Sequence, residues 1–223
     1  MIKAIFYKEW IKLRTIIAAI IGIFVLLAFY LGVDIQTKLR VAGAAHLWDM
    51  IVNKDANFTA LLKYIPCFCG LTIGLFQFVP EMGRRSLKLT LHLPISPRKT
   101  IAAMMLFGIT VQAIGYILYL LILFSLLSFK LPHEILSAWA WATIPWFTAG
   151  FTAYFLSCWI CIESIWKRRI INGVFSLLLM SVFLTPSGSY GFQYMNLVLL
   201  VLTILCSLFP FYSVYRFKEG VQA

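Results

Sequence analysis

Residues 101–128 read IAAMMLFGITVQAIGYILYLLILFSLLS, without one Asp, Glu, Lys, Arg or His. As a helix this stretch is about 42 Å long, more than the ~30 Å hydrocarbon core of a bilayer, so it must tilt or protrude. Five further charge-free stretches surround it, at 15–33, 64–79, 139–162, 170–185 and 195–214, and nearly all charge sits in the joints between them. The stretches at 64–79 and 170–185 are short, but Lys63 and Lys167 at their ends can snorkel towards the interface. Backbone polar groups inside lipid need internal partners, so all six are expected to be helices. The expected fold class is an all-α integral membrane protein with six transmembrane helices, in which residues 1–223 form a single transmembrane domain.

Composition agrees with that class. In water, 62% hydrophobic residues would leave an apolar surface beyond what a monomer tolerates. The net charge of +11 would suggest nucleic acid in a soluble protein, but in a membrane protein it reflects Lys and Arg gathered on one side. Fourteen of the 19 Lys and Arg fall in segments 1–14, 80–99, 163–169 and 215–223, and five in the alternate joints. The positive-inside rule then sets both termini in the cytoplasm. Nucleic acid is not an expected partner; the lipid bilayer is. The five cysteines all lie in apolar stretches, where a thiol behaves as a small apolar group, and the Cys158-Trp-Ile-Cys161 spacing lacks the exposed helix start that redox chemistry needs.

The first 14 residues, MIKAIFYKEWIKLR, place Ile2, Ile5, Phe6, Trp10 and Leu13 at helical spacing, with Lys3, Lys8 and Lys12 elsewhere on the wheel. That pattern predicts an interfacial helix on the inner membrane surface and a bend at Thr15, where the first span begins. The outer segment 34–63 suggests two short helices, at 45–52 and 58–64. In the second span Gly70 and Gly74, four apart, share a face that admits close approach of another helix. The joint 80–100, PEMGRRSLKLTLHLPISPRKT, predicts a short helix over 81–92, started by Pro80 and stopped by Pro94. Glu81, Arg84, Arg85, Lys88 and His92 form its charged stripe, with Leu87, Leu89 and Leu91 supplying apolar anchors.

Several functions lack their residues. No Gly precedes a Lys, which removes the phosphate-binding loop, and neither HExxH nor GxSxG occurs. His46, His92 and His133 fall in joints on different sides, so no metal site, resident cofactor or catalytic group is expected, and the chain is read as a non-enzyme. The apolar stretches hold no ionisable side chain other than thiol or phenol, only the amides Gln77, Gln112, Asn172 and Asn196, whereas ion-coupled transporters place titratable groups at depth.

Two stretches carry a resemblance. KEWIKLR at 8–14, leading into the first of six spans, and the joint 81–99 with Glu81, Gly83, Leu89, Leu93, Pro94, Ile95, Ser96 and Arg98, resemble the membrane subunit of an ABC-2 type transporter. The resemblance implies a permease, most naturally an exporter, working with two copies of an ATP-binding subunit that carries the ATP and Mg. It also implies a second permease, identical or similar, and a bacterial cytoplasmic (inner) membrane. Residues 80–99 would form the coupling-helix joint, with Glu81, Arg84, Arg85, Leu87, Lys88, Leu89 and Leu91 at the ATPase interface. Residues 1–14, with Phe6, Trp10 and Leu13, would form the elbow helix. A non-transporting membrane scaffold or accessory protein is the alternative reading.

Overall fold

The computed structural model describes residues 2–52, 60–83, 96–128, 131, 133–185 and 195–218. Its first helix, α1 (Ile2–Val52), is interrupted only at Gly43, whose φ of 79° lies in the left-handed region that glycine tolerates. Buried positions run along it as Ile5, Glu9, Leu13, Ile17, Ile20, Phe24, Leu27, Leu31 and Ile35, always three or four apart. This stripe keeps its register straight through Thr15. The expected bend there is absent, and the expected interfacial elbow is the first part of a continuous helix. The physical reason is local: nothing between residues 2 and 21 breaks a helix, and the apolar face read as lipid-seeking is one end of a protein-packed stripe.

A 3-10 turn at Ala60–Lys63 leads into α2 (Ile65–Gly83), which is followed by α3 (Pro97–Leu127), α4 (His133–Ile162), α5 (Trp166–Phe183), α6 (Asn196–Cys206) and α7 (Phe209–Lys218). Pro80 does not open a new helix as expected. It sits inside α2, which runs on to Gly83. Residues 84–92, the rest of the expected 81–92 helix, lie outside the described residues, as do 58–59 of the expected 58–64 piece.

Among the described residues five helical stretches are long and apolar enough to cross a membrane: Lys3–Val41, Ile65–Gly83, Pro97–Leu127, Ala140–Ile162 and Asn196–Arg216. The remaining expected span, 170–185, falls mostly in α5, whose first turn is occupied by Lys167, Arg168 and Arg169. Those three cations leave α5 an apolar run of about 21 Å from Ile170 to Phe183, short for a full bilayer.

Helix directions follow from the contacts. Phe6 meets Phe107, Phe24 meets Tyr116 and Tyr119, and Gly32 meets Leu123 and Leu126, so α1 and α3 run parallel. Gly70 faces Gly150 and Gly74 faces Ser157, so α2 and α4 also run parallel. Thr152 meets Thr203, Trp159 meets Phe209 and Glu163 meets Ser213, which gives α6 and α7 the direction of α4. At the centre stands α4, touching α2, α3, α5, α6 and α7.

Polarity in this bundle is inverted relative to a water-soluble protein. Of the most apolar part of α4, 72% is buried, against 33–44% in the other four candidates, yet α4 is the least apolar of the five. Gln77, Gln112, Thr143, Thr152, Ser157, Asn172, Ser176 and Thr203 are buried, while Leu26, Leu71, Ile117, Leu121, Leu177, Leu178 and Leu197 face outwards. Such a surface suits hydrocarbon as solvent, with small and polar residues at the helix contacts. The protein is a multi-pass, membrane-embedded helical bundle.

Candidate functional site

The start of α1 and the end of α2 meet in a buried cluster of four charges. Glu9 is completely buried and Glu81 is 2% exposed, unusual for carboxylates and costly without partners. Lys12 supplies the partner for both. Its Nζ donates to Glu9 Oε1 at 3.0 Å, to the Gln77 carbonyl at 2.9 Å and to Glu81 Oε1 at 3.0 Å. Glu9 Oε2 also lies 3.0 Å from the same nitrogen. Three acceptors match the three protons of an ammonium, so Lys12 is saturated. Lys8, one turn earlier, approaches Glu81 Oε1 at 2.8 Å and is more exposed, its side chain 43% accessible. Two carboxylates and two ammonium groups make the cluster neutral. Pro80 withdraws the amide donor that would meet the Phe76 carbonyl, and Lys12 donates to the next carbonyl, that of Gln77.

One turn deeper, the Gln77 side chain joins three helices. Its Nε2 donates to the Met104 carbonyl of α3 at 2.8 Å, and its Oε1 accepts from the Tyr154 hydroxyl of α4 at 2.8 Å. Tyr154 is fully buried, and Gly108 of α3 leaves the room its ring needs: a Cβ there would lie 2.3 Å from the phenol. Along the α2–α4 seam a Cβ on Gly70 would sit 2.1 Å from the Gly150 carbonyl oxygen, and one on Gly74 would sit 1.8 Å from Ser157 Oγ. The backbones touch because both side chains are missing.

A second charged group closes the same pole. Glu163, just past the end of α4, accepts from Ser213 Oγ at 3.0 Å and pairs with Arg216 at 3.6 Å, both on α7. Arg98 at the start of α3 donates to the Tyr215 hydroxyl at 3.0 Å. Arg169, in the first turn of α5, donates through Nη2 to the carbonyls of Cys161 at 3.3 Å and Glu163 at 2.8 Å. Lys8 near the start of α1 and Arg216 on the last helix therefore lie at one pole.

The residues singled out from sequence now divide. Glu81, expected at a partner's surface, is buried against the chain's own Lys8 and Lys12, which leaves it no accessible face. Arg84, Arg85, Leu87, Lys88, Leu89 and Leu91 lie outside the described residues. Of the elbow residues, Leu13 is in the core, Phe6 stands edge-on against Phe107 at 5.5 Å, and only Trp10, 52% exposed, faces outwards. Gly70 and Gly74 line the α2–α4 seam described above. The Glu9–Lys12–Gln77–Tyr154 chain was missed. Its signal was present, since Glu9 stands four residues from Ile5 and from Leu13 and so falls on the buried stripe. Among the described residues no group of three His, Cys, Asp or Glu could hold a metal ion.

Compared with known proteins, the chain matches no family model, no curated protein and no solved structure.

Proposed function

We propose that this chain is the membrane-spanning permease of an ATP-driven ABC transporter, an exporter, working with two copies of a separate ATP-binding subunit. One observation carries the reading. The two stretches that resemble an ABC-2 permease, 8–14 and 81–99, are remote in sequence, yet Lys8 and Lys12 of the first hold Glu81 of the second. A movement imposed on segment 84–95 by an ATPase is passed at once to the end of α2 and, through Glu81, to the start of α1. Buried, matched charges suit such a link because breaking one partner away is costly. Glu81 thereby serves inside the permease, and ATPase contact falls to Arg84, Arg85, Leu87, Lys88, Leu89 and Leu91. ATP and Mg belong to the partner.

Helix direction supports six crossings with both termini cytoplasmic. Because α6 and α7 run parallel to α4, the chain between Ile162 and Asn196 must return across the bundle, and α5 is the helix available to do so. Lys8 and Arg216 at one cation-rich pole accord with the positive-inside rule in a bacterial cytoplasmic membrane. Two such permeases, identical or similar, complete the translocation path.

Purification of the tagged chain from its native membrane in mild detergent tests the reading. A stoichiometric partner bearing a phosphate-binding loop, lost when Leu87 and Leu91 are both replaced by Asp, is the expected result. Recovery of the chain with no ATPase would favour the scaffold reading instead.

A further inference from the structure

A cavity of about 550 Å³ opens at the charged pole between α2, the end of α4 and the start of α5. That volume lies within the range of about 300–1,000 Å³ common for small-molecule sites. Its walls differ in character. Leu75, Val79 and Met82 of α2 form an apolar side, while Ser164, Trp166 and Arg169 give a polar rim on the other. Leu75 and Val79 lie on a candidate membrane span and are 37% and 53% exposed, so this side is continuous with the lipid-facing surface.

The rim carries a cation, Arg169, that pairs with no carboxylate among the described residues. Four carboxylates are held by cations elsewhere: Glu9 and Glu81 by Lys12, Asp34 by Lys38, and Glu163 by Arg216. Among the described residues Arg169 donates to the neutral carbonyls of Cys161 and Glu163 and lies over the Trp166 ring at 5.6 Å, and its buried Nε has no hydrogen-bond partner. A buried N–H without an acceptor is costly unless something else supplies one. The helix start adds to the same field. Helix α5 opens at Ile165 with no side-chain cap, so its first amides lack an intrahelical acceptor, and its first turn, which carries the positive end of the helix dipole, lines the cavity through Trp166 and Arg169.

We propose that this cavity binds an anionic phospholipid, its phosphate on Arg169 and the first amides of α5, its acyl chain along Leu75 and Val79. The apolar wall selects a lipid over a free anion, the Arg169 guanidinium selects an acidic headgroup over a zwitterionic one, and Trp166, 67% exposed, stands as an interfacial anchor. The site depends on the membrane-embedded bundle alone and stands or falls separately from the ATPase coupling.

The test uses the full chain, delipidated in detergent with any partner it retains, then titrated with phosphatidylglycerol, phosphatidylcholine or inorganic phosphate and read by native mass spectrometry. Phosphatidylglycerol is expected to be retained about tenfold better than phosphatidylcholine, the size of one charge-assisted hydrogen bond. Arg169→Gln should abolish that preference. Since Arg169 also holds the end of α4, Val79→Trp provides a second variant that fills the cavity from an exposed position and should reduce retention of both lipids. Equal retention of the two lipids, or lipid binding unchanged in both variants, would overturn the proposal. So would displacement of phosphatidylglycerol by millimolar phosphate, which would mark a soluble-anion site instead.

Discussion

The two charged groups at the pole both set glutamate against basic side chains and end in opposite states. Between α1 and α2, two glutamates and two lysines cancel, and Lys12 places all three protons on acceptors at 2.9–3.0 Å. At the corner of α4, α5 and α7, one carboxylate, Glu163, meets two arginines and pairs with Arg216, leaving Arg169 to neutral carbonyls. The first arrangement holds two helices together. The second leaves a cation facing a cavity. A charge that is matched inside the chain is architecture, and a half-buried one with no carboxylate beside it is open to a ligand.

Mutations can break that comparison, and the largest effect is expected at Lys12. Lys12→Met strands Glu9, which has no exposure at all, and should lower stability by about 3–5 kcal/mol, the usual cost of breaking a buried pair. Thermal unfolding in detergent would read it, and a loss under about 1 kcal/mol would mean that water already reaches the cluster. The glycine seam comes next. Gly70→Ala drives a Cβ against the Gly150 backbone, which cannot rotate away, and should cost about 1–3 kcal/mol. Gly74→Ala meets the Ser157 hydroxyl first and should cost less, while Gly22→Ala and Gly173→Ala enter open space and should be tolerated. Equal midpoints for all four would show that α2 and α4 are not packed backbone to backbone. Tyr154→Phe removes the hydroxyl from Gln77 Oε1 and is expected to cost about 1–2 kcal/mol. Smallest of all, Lys38→Ala breaks a half-exposed pair with Asp34 one turn away and should change stability by no more than ~0.5 kcal/mol.

Much of the bundle was legible from charge-free length alone, because lipid leaves a spanning backbone little choice. What misled the reading was the assumption that charge marks a boundary. Lys8, Glu9 and Lys12 look like a surface flank when taken one at a time, so the helix was expected to bend at Thr15. Placed on the wheel with Ile5, Leu13 and Ile17, Glu9 belongs to a buried face, and no bend is needed. Pro80 misled for a related reason. A proline removes one intrahelical bond, here the one to the Phe76 carbonyl, yet α2 runs on to Gly83, and around that turn Lys12 ties down Gln77 and Glu81. No local pattern contains that information. The glycines at 70 and 74 were readable as a packing face, but their partners, Gly150 and Ser157, follow from helix direction, which spacing does not encode.

The central claim is that Lys12 and Glu81 form one energetic unit joining the start of α1 to the end of α2. A double-mutant cycle on the thermal stability of the purified chain, with Lys12→Met, Glu81→Gln and the pair combined, measures it directly. The account predicts a double mutant less destabilised than the sum of the singles by at least about 1 kcal/mol. Additivity within about 0.3–0.5 kcal/mol would contradict it.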